Sequence, residues 1–187
     1  TNYLNYSTSI NQSHNFSATL GNAFENNKFS NFDAWRLGIV GNKLFHLSLG
    51  DPDQQYNNSG AYEWSILSYY GRLSYDYKSK YLFEANLRRD GSSKFHPDKR
   101  WGNFGGVLAA WRLSEEPFMQ GLGFLDDLKL RLSIGETGNE RVARNYNYVQ
   151  SVNIGGQIPF GAGSVESAAS LGALPAVNAT WETVVTK

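Results

Sequence analysis

Cysteine is absent from the 187 residues, which excludes a disulfide scaffold, a zinc–thiolate site and a cysteine nucleophile. Net charge is absent too: 17 Lys and Arg balance 17 Asp and Glu, so the chain lacks the basic excess that phosphate recognition needs, and nucleic acid is excluded as its partner. No long run of like charge marks a tail. No stretch of roughly 18 apolar residues occurs, so no transmembrane helix is expected. Residues 1–25 carry no basic region followed by an apolar core, so no signal peptide is expected within the chain. The strand-like sequence at both ends reads as a fragment of something longer. What is abundant is aromatic: 11 Tyr, 11 Phe and 5 Trp stand beside 19 Gly in a chain of mildly polar mean hydropathy. Strands joined by polar loops give that mixture; helical bundles rarely do.

The dominant period is two, the strand period. Leu67–Lys78 places Leu, Tyr, Gly, Leu, Tyr and Tyr on one side and Ser, Tyr, Arg, Ser, Asp and Lys on the other. Tyr81, Phe83, Ala85 and Leu87 alternate against Glu84, Asn86 and Arg88; Val107, Ala109, Trp111 and Leu113 stand opposite Arg112; Leu128, Leu130, Leu132 and Ile134 stand opposite Lys129, Arg131 and Ser133. Weaker alternation marks Asn2–Ser9, His14–Ala23 and Thr180–Thr186, so seven strands are expected.

Connection lengths alternate as well. Asn11–Ser13 and Lys78–Lys80 are tight turns, whereas Glu25 to Glu63, Gly91–Trp101 and Gly138–Ala179 are long loops. Ser114–Asp127 is intermediate, with one helical turn expected, capped by Ser114 and followed by Glu115 and Glu116. In an antiparallel meander every tight turn falls on one rim and every long loop except Ser114–Asp127 on the other. Transmembrane barrels sort their loops in this way. Leu67–Lys78 also exceeds the roughly 9–11 residues that a tilted membrane strand needs. Tyr75, Tyr77 and Tyr81 around the Lys-Ser-Lys turn are placed as an interfacial aromatic girdle. The competing architecture is a soluble β-sandwich, its apolar side packed on a second sheet.

The segment Tyr81–Phe95, reading YLFEANLRRDGSSKF, resembles the "RRDGSSRF" signature of the SusC/RagA family of TonB-linked outer-membrane transporters. Arg100-Trp101-Gly102, Ala110–Phe118 (AWRLSEEPF), Leu128–Asn139 (LKLRLSIGETGN) and Trp181-Glu182-Thr183 follow, each similar to a family motif and in the family's order. Gly71–Tyr75 resembles the preceding strand. The likeness covers roughly residues 70–140 and 178–187; the first 65 residues fit loosely, through Thr1–Ser7 and the strand from His14. Phe104-Gly105-Gly106 departs from the family's Phe-Pro-Ser, and two glycines there suggest a bend or bulge.

The resemblance implies an all-β chain: seven strands of an up-and-down barrel of about 22 strands, with residues 1–187 inside the barrel domain and the plug, the TonB-contacting segment and the signal peptide outside them. It implies an integral protein of a Gram-negative outer membrane that imports oligosaccharides or peptides, beneath a SusD-type surface lipoprotein and driven through TonB. The long loops 25–63 and 138–179 would then face the lipoprotein or the cargo. A soluble carbohydrate-binding sandwich and a passive porin are the alternatives.

No catalytic, cofactor or metal site is expected. His14, His46 and His96 lack ligand spacing. Asp51-Pro52-Asp53 lacks the glycine and glutamate of a calcium loop, and Gly121-Leu122-Gly123 lacks the third glycine of a nucleotide loop. Glu115-Glu116 and Asp126-Asp127 are adjacent acids at a turn, expected as caps or solvated groups. Arg88 and Asp90 share one strand face and are expected to pair, with Arg89 on the other face. Trp35, Tyr56, Tyr62 and Trp64 could stack on sugar rings, but packing of the loop against itself is preferred.

Overall fold

The computed structural model describes the chain except at residues 40, 42, 45, 120, 122–123, 142–144 and 161–163. The elements are β1 (Asn2–Ile10), β2 (His14–Arg36), β3 (Gln55–Tyr77), β4 (Tyr81–Ser92), β5 (Trp101–Arg112), β6 (Lys129–Asn139), β7 (Val152–Phe160), β8 (Ser164–Leu171) and β9 (Glu182–Thr186). One sheet has the order β1-β2-β3-β4-β5-β6-β9, a meander in which the β7–β8 hairpin forms a separate two-stranded sheet. The seven expected strands are thus present, antiparallel and in sequence order. Among the described residues there is no α-helix, only short 3-10 turns.

Three expectations about connections change. The stretch from Glu25 to Glu63 is mostly strand, because β2 and β3 each run for 23 residues. The 138–179 loop carries the β7–β8 hairpin. The turn after β5 is a 3-10 turn over Leu113–Glu115, with Arg112 at its N-cap; Ser114 does not cap it and instead donates its hydroxyl to Asp127 Oδ1 at 3.0 Å. The bulge suggested by Gly105-Gly106 is also absent. The β4–β5 register runs unbroken from Tyr81↔Trp111 to Gly91↔Trp101, and the glycines instead let Gly106 approach the backbone of Gly135.

Both tight turns have left-handed backbone at their two central residues, Asn11-Gln12 (φ 52 and 53) and Lys78-Ser79 (φ 51 and 56). Three residues separate the paired strand ends in each, Ile10↔His14 and Tyr77↔Tyr81, and the left-handed pair supplies a twist that matches the flanking strands. Neither uses glycine. Asp76 Oδ1 accepts from the Ser79 N–H at 2.9 Å and holds the second turn in place.

The chain divides into two compact units, residues Thr1–Glu25 with Ser65–Lys187, and Asn26–Trp64. In the smaller unit Phe29 stacks on Tyr62 and Trp35 on Tyr56, with ring centroids 4.8 and 5.4 Å apart. Lys28 pairs with Glu63 at 3.2 Å, and Asn26 donates to the same carboxylate. Three of the aromatics considered for sugar stacking therefore pack within their own hairpin.

In the larger unit, register fixes which residues share a face. Tyr77↔Tyr81↔Trp111, Tyr75↔Phe83↔Ala109, Leu73↔Ala85↔Val107 and Gly71↔Leu87↔Gly105 form successive rungs, continued by Leu130, Leu132 and Ile134 of β6. On the first hairpin, Leu4↔Leu20 and Thr8↔Phe16 join the same face, since Phe16 touches the Tyr75 ring. This apolar face is open: Leu73, Leu87 and Leu132 are each more than 60% exposed, and no second sheet covers it among the described residues. The buried residues lie elsewhere, at Phe95, Phe104, Ser92 and Asp90.

Candidate functional site

Two features stand out, a band of apolar rungs and a polar–aromatic cluster at its long-loop end. The band is bounded by aromatics on both sides. At the short-turn rim Tyr77, Tyr81 and Trp111 form a row with centroids 6.3 Å apart, and His14 packs on Tyr77 at 4.8 Å. At the other rim Tyr69 stacks near Trp101 at 6.3 Å, and the Arg89 guanidinium lies over the Trp101 ring at 5.0 Å. Tyr69 and Tyr77 are eight positions apart on β3. That is about 27 Å along the strand at about 3.4 Å per residue, or about 21 Å across a layer in which strands tilt by about 40°. The apolar band of a transmembrane barrel is about 25 Å tall and carries aromatic girdles at both edges.

At the short-turn rim, Glu116 fastens the girdle. Its Oε1 accepts from the Tyr81 hydroxyl at 2.8 Å and from Trp111 Nε1 at 3.1 Å, while Lys80 approaches Oε2 at 3.3 Å. The hydrogen bonds from Tyr81 and Trp111, then the nearby Lys80 ammonium, hold the Glu116 carboxyl below the usual carboxylate range against the opposing effect of burial. Sequence reasoning treats Glu116 as a cap or a solvated acid, so this role was missed. The available signal is an acid four residues beyond a strand that ends in Trp-Arg, beside a neighbouring strand that begins in Tyr just after a Lys.

At the long-loop rim the signature residues converge. Arg88 Nε meets both Asp90 oxygens at 2.8 and 2.7 Å, and Arg88 Nη2 donates to Ser68 Oγ at 3.1 Å, which is the expected pair. Ser92 is fully buried, and its N–H donates to the Arg100 carbonyl at 3.1 Å. Ser93 exchanges two hydrogen bonds with the Ser65 backbone, both 2.9 Å. Lys94 pairs with Glu140. The Gly-Ser-Ser-Lys-Phe run is thus a buried turn, tied to β3 on one side and to the end of β6 on the other.

Phe95 and Phe104 both contact Trp181, with centroids 5.6 and 5.3 Å away, and Trp181 Nε1 donates to the Arg100 carbonyl at 2.8 Å. Gly102 and Gly138 flank Phe104 so closely that a Cβ on either would overlap its ring. Beside this cluster lies a concavity of about 430 Å³ lined by Asn86, Arg88, Asp90, Phe104, Glu136 and Trp181 among others. A larger hollow of about 1170 Å³ draws on Tyr6, Leu73, Phe83, Glu84 and Leu132, hence on both faces of the sheet, and is the open trough of an unclosed wall.

The remaining sequence candidates stay apart. His14 hydrogen-bonds the Tyr75 hydroxyl at 2.9 Å, His46 precedes a 3-10 turn, and His96 accepts from the Asp98 N–H. Asp51 closes a local turn by accepting from the Asp53 N–H. Leu122 and Gly123 of the Gly121-Leu122-Gly123 run lie outside the described residues. No group of acids and histidines among the described residues is arranged to hold a metal ion.

No family model matches the chain. TonB-dependent receptor P39 of Formosa agariphila is 37% identical over 145 residues, which cover 75% of this chain and 14% of that receptor. TonB-dependent receptor SusC of Bacteroides thetaiotaomicron is 39% identical over 100 residues, 52% of this chain and 10% of that protein. The chain belongs to the SusC/RagA type of TonB-dependent transporters. It spans about one seventh of the length of the curated relatives it matches. The solved RagAB peptide importer, in its closed-closed state, superposes on 98% of this chain with a TM-score of 0.83. At 24% identity that likeness establishes the fold alone: the meander matches one stretch of a TonB-dependent barrel, 20% of the matched chain. SusC/RagA relatives are transporters rather than enzymes, and TonB-dependent receptors are outer-membrane β-barrels.

Proposed function

We propose that this chain is part of the barrel wall of an outer-membrane importer, and that the whole protein takes up oligosaccharides or peptides by TonB-driven transport beneath a SusD-type lipoprotein. The observation that carries the reading is the open apolar band between two aromatic rims, about 21 Å apart at the expected tilt. A soluble sandwich would bury that band. Here it is exposed on Leu73, Leu87 and Leu132, while the opposite face carries Arg72, Glu84 and Arg131. Charge on that side is tolerated where a barrel interior is wet.

The short turns at Asn11-Gln12 and Lys78-Ser79 face the periplasm on this reading. The segments 25–63 and 138–179 are assigned on the same reading to contact with the lipoprotein or the cargo. SusC/RagA kinship favours active import over a passive porin.

The test uses the full-length parent in its host. Uptake of a fluorescent oligosaccharide mixture and of a fluorescent peptide digest is followed with the gene intact, with it deleted, and with an uncoupler that collapses the inner-membrane proton gradient. Import predicts loss of one of the two signals in both the deletion and the uncoupled cells. Uptake that survives the uncoupler is a porin's behaviour and overturns the energised reading. A parent found in the soluble fraction overturns the barrel.

A further inference from the structure

The signature places two arginines side by side, and among the described residues only the first has an ion-pair or hydrogen-bond partner. Arg88 is engaged by Asp90 and Ser68 on the charged face. Arg89 points the other way. It is exposed on the apolar face, aligned with Tyr69 on β3 and Asn103 on β5, both uncharged. Among the described residues it makes no ion pair and no hydrogen bond; its one defined contact is the Trp101 ring, 5.0 Å away. Trp101 in turn lies flat against Gly91, where a Cβ would clash with its indole, and stands beside Tyr69.

An arginine facing lipid at mid-bilayer costs about 2–4 kcal/mol, but close to zero at the interface. Arg89 sits one strand-length of apolar rungs above the Tyr77-Tyr81-Trp111 row, on the long-loop rim, where headgroups begin. A guanidinium held over an indole, 5.0 Å from its centroid, keeps N–H donors on its outer edge available to a planar, two-pronged acceptor. Below it Leu87, Leu73 and Phe83 offer a greasy track for acyl chains. Charge and shape here complement an acidic lipid: phosphate above, hydrocarbon beneath.

We propose that Arg89, seated on Trp101 beside Tyr69, is a docking site for the phosphate of an anionic lipid headgroup in the leaflet at the long-loop rim. The site rests on the membrane-wall reading given above. Arg89 and the phosphate would form a bidentate charge-assisted pair, and the lipid would act as a fixed member of the wall's outer edge.

The experiment reconstitutes the full-length parent into phosphatidylcholine nanodiscs containing a small fraction of diphosphoryl lipid A, or the same acylated sugar with its phosphates removed. Lipid retained after re-extraction is counted by native mass spectrometry. The native protein should retain the phosphorylated lipid preferentially. Arg89→Gln should lower its retention by roughly tenfold, the loss of one charge-assisted contact. Arg89→Lys, which keeps charge but not the fork, should fall between, and Arg72→Gln on the opposite face should match the native protein. Equal retention by Arg89→Gln overturns the site. Displacement of the phosphorylated lipid by millimolar inorganic phosphate also overturns it, in favour of a free-anion site. A parent that fails to enter nanodiscs sinks the membrane reading itself, whereas insertion without phosphate preference sinks only the docking site.

Discussion

The ring of Phe104 occupies the space in which a Cβ on Gly138 would stand. Phe104 is 6% exposed, and Gly102 closes its other side, so the ring has nowhere to retreat. Gly138→Ala in the full-length parent should therefore destabilise the folded barrel by about 1–3 kcal/mol, the usual scale of overpacking. Gly121, whose Cβ would meet nothing within 4 Å among the described residues, is the matched control, and Gly121→Ala should leave the unfolding midpoint unchanged. Denaturant titration in detergent reads both. Equal midpoints for the two variants would mean that the ring can move.

The rung Leu73-Ala85-Val107 lies midway between the aromatic rims, while Ile10, paired with His14, lies at the short-turn rim. Ala85→Arg should cost about 2–4 kcal/mol of folding free energy in lipid, and Ile10→Arg no more than about 1 kcal/mol. Folding titrations of the full-length parent into phosphatidylcholine vesicles compare the two. A penalty that does not depend on depth would mean that this face does not meet hydrocarbon.

Glu116 gathers the hydroxyl of Tyr81, the indole of Trp111 and the ammonium of Lys80, and these depress its carboxyl pKa. A depressed folded-state pKa gives a stabilisation that is complete above the unfolded value of about 4.3 and is lost as pH falls through the lower folded value. Glu116→Gln should flatten the acid limb of stability below about pH 4.5 and leave neutral-pH behaviour less affected than Glu116→Ala does. Thermal scans of the full-length parent across that pH range give the answer. An acid limb of unchanged steepness in Glu116→Gln would assign it to other carboxylates.

Asp90 is buried and takes both contacts from Arg88 Nε. Asp90→Asn should cost about 1.5–3 kcal/mol, the worth of a hydrogen bond to a charged group, and Asp90→Asn with Arg88→Gln should cost less than the sum of the two single changes. A double-mutant cycle on the parent's unfolding measures the difference. Additive losses would show that the pair is incidental.

Taken alone in water, the 187-residue chain leaves the outer edges of β1 and β9 unpaired and its apolar face open. It should aggregate without detergent. A monomer in sedimentation with a cooperative thermal transition would contradict the wall assignment.

Period-two alternation made the meander legible because one face of these strands meets a single environment, so Leu73, Phe83, Val107 and Leu132 recur at every second position. The same cue fails beyond the band. Residues Asn26–Arg36 of β2 are strand held by cross-strand contacts such as Lys28–Glu63 and Trp35–Tyr56, with polar and apolar residues on both sides and hence no alternation to read. The β7–β8 hairpin hides in a Gly- and Ala-rich stretch for the same reason, and its register slips at Ile154/Gly156. The Arg88–Asp90 pair was legible because residues two apart on a strand share a face. The Glu116 clasp and the Lys94–Glu140 pair join residues whose proximity depends on loop paths, which period-two alternation does not encode. Ser114 was misread because a tight 3-10 turn leaves its hydroxyl directed at Asp127 rather than at the backbone.

Strand pairing from β1 to β6 joins sequence neighbours, but β9 reaches β6 only across roughly forty intervening residues. Closing a span that long, rather than a three-residue turn, adds about four doublings of loop length, or about 2 kcal/mol of chain entropy. The β6–β9 seam should accordingly zip last during assembly and open first under strain, giving this wall one slow joint among quick ones.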